Sequence, residues 1–119
     1  MHERVAALMR ANLYDVFGER VDERRVESIR RTYTETVRFT DEQGTVSGHD
    51  AVDQRARAVL ERAPADFVFA EDGPLYGDAE RAALAWRFGP PGGEPVVRGV
   101  DVATVVDGRI DALETLLAV

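Results

Sequence analysis

The stretch Val96–Val119, VVRGVDVATVVDGRIDALETLLAV, decides the fold. It divides into two β-rich runs, Val96–Val106 and Arg109–Val119, joined by Asp107-Gly108. A two-residue Asp-Gly link between such runs predicts a hairpin, because a type I′ turn needs positive φ at both central positions. The first run alternates. Val96, Arg98, Val100, Val102, Thr104 and Val106 share one face; Val97, Gly99, Asp101, Ala103 and Val105 share the other. Asp101 breaks the pattern, an acid in mid-strand among apolar neighbours, where a charge is costly unless paired, solvated or protonated.

Working outward, 119 residues make one domain, residues 1–119, with room for one core and a pocket. The net charge of −7 argues against nucleic-acid partners and anionic membranes. All 15 basic residues are arginine, and the absence of cysteine removes disulfides, thiol nucleophiles and thiolate metal sites. The N-terminus lacks the apolar core of a signal peptide, and no run is long enough for a membrane span. The expected location is therefore the cytoplasm.

Upstream of the hairpin, Val5, Leu8, Met9, Leu13, Val16 and Phe17 have the spacing of one helical face, ended by Gly18. Asp22 reads as the N-cap of a second helix carrying Val26, Ile29 and Tyr33 inward. Val37–Asp41 alternates like a strand, with Val37, Phe39 and Asp41 on one face. Ser47 or Asp50 would cap a third helix that buries Val52, Ala56, Val59, Leu60 and Ala63 and stops at Pro64. Strand-like runs follow at Phe67–Ala70 and Ala79–Phe88, the latter with Leu84, Trp86 and Phe88 on one face. Helices followed by an antiparallel meander make an α+β fold.

This order, with Val37–Asp41 after helix two, Gly48-His49-Asp50-Ala51-Val52 opening helix three and Val105-Val106-Asp107-Gly108-Arg109-Ile110 near the end, resembles the nuclear transport factor 2-like superfamily, which includes ketosteroid isomerases and SnoaL-like polyketide cyclases. The resemblance runs from Val5 to Leu117. It implies a cone in which three helices of the N-terminal half pack into the concave face of a strongly bent antiparallel sheet, around an apolar pocket. It also implies homodimers through the convex sheet face, where Val100 and Val102 would otherwise meet water. Arg38, Arg87 and Arg98 fall on that side too.

Asp41 and Asp101 are the candidate catalytic pair. Two acids on separate strands facing one apolar cavity suit acid–base chemistry, since desolvation can raise a carboxyl pKa by up to about 3–5 units. In the ketosteroid isomerases a base ends the first strand and a protonated acid lies on the penultimate strand; Asp41 and Asp101 match those positions. The resemblance also implies a tyrosine donor on helix one. Tyr14 is the candidate, yet at about 100° per residue it lies roughly 150° from the apolar face. Leu13 is the alternative at that position. Phe39, Phe69, Trp86 and Ala103 are the expected pocket walls. Both histidines are poor metal candidates, and no metal or cofactor is expected. An epoxide-hydrolase-like Arg-x-Asp is disfavoured because Arg98-Gly99-Val100-Asp101 puts arginine and acid on opposite faces.

The expected function is a cofactor-free isomerase or cyclase moving a proton next to a carbonyl of a small apolar or neutral ligand. Asp41 would abstract the proton and protonated Asp101 would steady the enolate. The alternative is a ligand-binding or dimerisation module without catalysis.

Overall fold

A computed structural model describes residues 2–119. Helix α1 (Glu3–Arg10) runs on as a π-helical segment, Ala11–Phe17, and together they bury Val5, Leu8, Met9, Asn12, Leu13 and Val16. Gly18 ends the segment; a Cβ there would lie 2.9 Å from the Tyr14 carbonyl oxygen. Helix α2 (Asp22–Thr32) carries acids in its first turn and Arg30 and Arg31 in its last, both favourable to the helix dipole. Val21, not Asp22, holds the N-cap position. The Asp22 carboxylate is turned onto Arg25 instead.

Arg25 is the largest side chain that is fully buried. It takes the inward place on α2 while Val26 is only half-buried. Its guanidinium donates to Asp53 (2.7 Å), to Asp22 (2.5 Å) and to the Glu19 carbonyl (2.9 Å), so the buried charge is fully matched. Asp53 lies on α3 (His49–Arg62), and this pair joins the two helices. Neither Ser47 nor Asp50 caps α3, whose N-cap is Gly48 at φ 91°. His49 is half-buried, and its Nε2 lies 3.1 and 3.0 Å from the carbonyls of Tyr33 and Thr34, tying α3 to the sheet.

The sheet comprises β1 (Tyr33–Asp41), β2 (Gly44–Ser47), β3 (Val68–Glu71), β4 (Tyr76–Gly77), β5 (Arg81–Gly89), β6 (Val97–Val106) and β7 (Arg109–Leu117). Its order is β2-β1-β7-β6-β5-β3, with β4 beside β5. The architecture is the expected α+β one, helices against a curved sheet. One pair departs from the antiparallel pattern. β1 and β7 run parallel, because the β5-β6-β7 meander reaches β1 pointing the same way. The Asp107-Gly108 turn has φ of 51° and 77°, the signs a type I′ hairpin requires. Asp111 is an extra residue on β7 between the partners of Thr104 and Val105, a bulge that bends the sheet and reverses the side-chain parity beyond it.

On β6 the alternation is as the sequence reads: Asp101, Ala103 and Val105 are buried; Val102, Thr104 and Val106 are exposed. On the convex side Val102 and Leu116 stand exposed, while Arg87 and Arg98 both pair with Asp72 of the same chain. Among the described residues no helix is long and apolar enough to cross a membrane.

Gly99 matters for the concave face. It sits opposite Trp86, and a Cβ there would fall 2.6 Å from the indole ring and 2.8 Å from the Leu116 carbonyl oxygen. The backbone oxygen cannot yield, so the indole lies where it does because position 99 has no side chain. Gly99→Ala is therefore expected to cost about 1–3 kcal/mol by overpacking and to shift the emission of Trp86. Urea unfolding with fluorescence detection checks both; wild-type stability and emission would contradict this packing.

Candidate functional site

A cavity of about 520 Å³ opens between the π-helical segment, α3 and the concave sheet face. Aromatic side chains form much of its apolar wall. Phe17 packs on Phe39 with ring centres 5.5 Å apart, and Phe69 bridges Trp86 (5.4 Å, edge-on) and Phe88 (4.2 Å, stacked). Leu13 and Phe67 complete the wall, while Val59, Pro64, Val96 and Leu117 line it nearer the surface.

At the buried end is Asp101, only 6% exposed. Its Oδ1 accepts from Trp86 Nε1 (2.9 Å) and from the Thr115 hydroxyl (2.8 Å); its Oδ2 accepts from Asn12 Nδ2 (2.8 Å). Asn12 is held in turn by the Tyr33 hydroxyl, which donates to its Oδ1 at 2.5 Å. Burial raises the Asp101 carboxyl above its ordinary range, against the hydrogen bonds from Thr115, Trp86 and Asn12, which lower it. Burial, with the nearby Asp101 charge, holds the Tyr33 phenol well above its usual value.

Towards the surface lies Asp41. Its Oδ1 takes the Gln43 N–H at 2.8 Å, closing the turn into β2, and forms an ion pair with Arg55 Nη1 that lies off the hydrogen-bond direction. The Arg55 guanidinium carbon is 5.8 Å from the Phe39 ring centre, within cation–π range. Asp41 and Asp101 thus line one cavity, but each has partners of its own.

Phe39, Phe69 and Trp86 line the cavity. Tyr14, the candidate donor, and Ala103, an expected wall residue, do not. Tyr14 is on the outer side of the π-helical segment, 38% exposed; its hydroxyl donates to the Glu71 carboxylate (3.0 Å) and accepts from the Glu71 N–H (3.2 Å). Leu13 occupies the inward place, as the helical wheel allowed. Ala103, two residues along from Asp101, is buried in the core rather than on the cavity surface. Asn12, Thr115 and Arg55 went unnoticed in the sequence. Asn12 alone left a signal, a polar residue on the same helical face as Leu8, Met9 and Val16.

With this geometry in hand, the comparisons with known proteins settle the family. A SnoaL-like domain profile matches residues 13–113. The chain belongs to the SnoaL-like family. Among curated proteins there is no significant match to this SnoaL-like chain. A provisional isomerase of the SnoaL-like family from Agrobacterium tumefaciens str. C58 has the same fold, with TM-score 0.87, 23% identity, and 98% of this chain and 99% of that one covered. A provisional SnoaL-like polyketide cyclase from Jannaschia sp. CCS1 aligns with TM-score 0.75 and 16% identity, over 96% and 84% of the two chains. A de novo designed protein with a curved β-sheet aligns as well as that cyclase, at TM-score 0.76 and 11% identity over 99% and 88% of the two chains. A designed backbone reaches this shape, so chemistry has to be argued from side chains.

The raised Asp101 carboxyl has a thermodynamic consequence. The folded SnoaL-like domain holds this proton more tightly than the unfolded chain does. The associated stability is therefore fully present below the unfolded value of about 4 and is lost as pH rises through the higher folded value. Unfolding free energies of wild type and Asp101→Asn, measured across that window, should show the wild type losing ground as pH increases. A wild-type advantage that grows with pH there would mean a carboxyl held below its ordinary range.

Proposed function

We propose that the cavity binds a small, largely apolar carbonyl compound and that Asp101 exchanges a proton with the carbon next to its carbonyl. The observation that carries this reading is a buried carboxyl of raised proton affinity at the inner end of an apolar cavity. A raised affinity moves a carboxyl towards the range in which it can exchange protons at neutral pH. In the forward step the ligand's C–H bond breaks, its proton adds to Asp101, and the electron pair moves onto the carbonyl oxygen as an enolate. Neutralising Asp101 weakens its hold on Thr115, whose hydroxyl then turns to the enolate oxygen. Where a double bond extends the enolate, return of the proton to the far carbon of that system completes an isomerisation. Attack of the enolate carbon on a second carbonyl breaks its C=O π bond and closes a ring, and the new alkoxide takes the proton back from Asp101. The provisional isomerase and cyclase names of the structural relatives agree with either outcome.

In this reading Asp41 is not the base. Its partners are Arg55 and the Gln43 N–H, and it anchors the guanidinium over Phe39 at the outer part of the cavity. That same engagement favours a second reading, a ligand-binding module without catalysis.

Deuterium exchange separates the two. A panel of hydrophobic ketones is incubated with the protein in D2O, and loss of the proton signals next to the carbonyl is followed by NMR. Quenching of Trp86, the chain's one tryptophan, reports binding in parallel. Wild type should catalyse exchange, and Asp101→Asn should lose at least about 100-fold of it, the worth of a general acid–base group, while still binding. Binding by wild type without exchange would sink the catalytic reading and leave the binding module.

The exposed convex strip around Val102 and Leu116 supports a second copy of the chain as partner. Light scattering should then find a dimer that Val102→Arg converts to monomer; a wild-type monomer at high concentration would refute it.

A further inference from the structure

Asn12 and Tyr33 are wholly buried, and neither lines the cavity, so neither touches a ligand held there. They are nevertheless the inner end of a polar chain that stops at Asp101. An ionised carboxylate has about four acceptor positions. Trp86 and Thr115 fill two on Oδ1, and Asn12 fills one on Oδ2. The open position is on Oδ2, which is therefore where a proton adds.

The Asn12 carboxamide has nearly the same shape when turned end for end, but not the same chemistry. With Nδ2 towards Asp101 it supports the ionised carboxylate. With Oδ1 towards Asp101 it would accept a hydrogen bond from the protonated carboxyl and draw the Oδ2 proton away from the cavity. Resting on the reading of Asp101 as the proton-exchanging group, we propose that Tyr33 is a positioning residue: by donating to Asn12 Oδ1 it locks the carboxamide with Nδ2 on Asp101, so that the proton on Oδ2 stays available to the ligand.

The lock follows from what a reversal would leave behind. Tyr33 is completely buried, and if Asn12 turned, its phenol O–H would face an amide NH₂ and lose its acceptor. A buried donor without a partner is costly. The phenol also keeps its proton, since burial and the Asp101 charge both oppose ionisation. The groups that bond to Asp101 itself, Asn12, Trp86 and Thr115, are all neutral, and Tyr33 is the titratable group that senses its charge.

The test follows the Asp101 titration through Trp86 fluorescence, without ligand, in wild type, Tyr33→Phe, Asn12→Leu and the double variant. Tyr33→Phe frees the carboxamide to turn and stabilise the neutral acid. Its midpoint should rise by about one pH unit, a tenfold gain in proton affinity. Asn12→Leu removes a donor to the ionised form and should raise the midpoint as well. If Tyr33 acts through Asn12, adding Tyr33→Phe to Asn12→Leu moves the midpoint no further. An unchanged midpoint in Tyr33→Phe, or an equal shift in both backgrounds, overturns the lock.

Should Tyr33→Phe fail to fold, the wild type decides alone. Nuclear Overhauser contacts from the Asn12 amide protons to the Trp86 indole N–H, both donors to one carboxylate, should persist on either side of the midpoint. Their disappearance below it means the carboxamide turns despite Tyr33. None of these readouts needs a ketone, so they stand or fall apart from the deuterium-exchange experiment.

Discussion

The carboxylate of Asp101 is the point on which three parts of the chain converge. Asn12 comes from the π-helical segment, Trp86 from β5 and Thr115 from β7, and each places one donor on it. Burying an acid at 6% exposure is unfavourable by itself, and these donors are what make it tolerable. The dependence runs both ways. The indole reaches Asp101 because Gly99 leaves room for it, and the helical segment is held in register because Asn12 has nowhere else to donate. Loss of any one partner leaves a polar group unmatched in a dry place. A polar network of this kind specifies one arrangement where apolar packing would accept several.

The same logic fixes the rest of the cone. Arg25 ties α2 to Asp53 of α3, and His49 ties α3 to the start of β1. These contacts hold the helices to one end of the sheet and leave the other end open, where α3 offers Arg55, Ala58 and Val59 to the cavity instead of a packed face. The Asp41–Arg55 pair closes part of that open end with charge. The cavity is thus the space that the helix ties leave unfilled, apolar along its walls and polar at its two ends.

Much of the sheet was legible because its signals are local. The Asp-Gly turn and the strict alternation of Val96–Val106 each depend on neighbours in sequence, and together they set Asp101 on the same face as Ala103 and Val105. Period-two counting cannot carry through β7, for a definite reason. The extra residue at Asp111 reverses parity, so the inward placement of Thr115 could not be read off by counting. Asn12 was hidden differently. Its partner lies 89 residues away, and a lone amide on an apolar helical face carries no hint of what it meets. The wheel argument against Tyr14 was sound, and Leu13 is indeed the inward residue. The parallel pairing of β1 with β7 was also beyond local pattern, since nothing within either strand records the direction in which a distant one arrives.

Titration of Asp101 by carboxyl-carbon NMR in the ligand-free protein, assigned with Asp101→Asn, tests this account at its centre. A single step with a midpoint above the ordinary carboxyl value of about 4 is the predicted result, because burial outweighs the three donors. A midpoint at or below about 4 would make Asp101 a structural carboxylate held ionised by its partners, and the proton-transfer reading would fall with it.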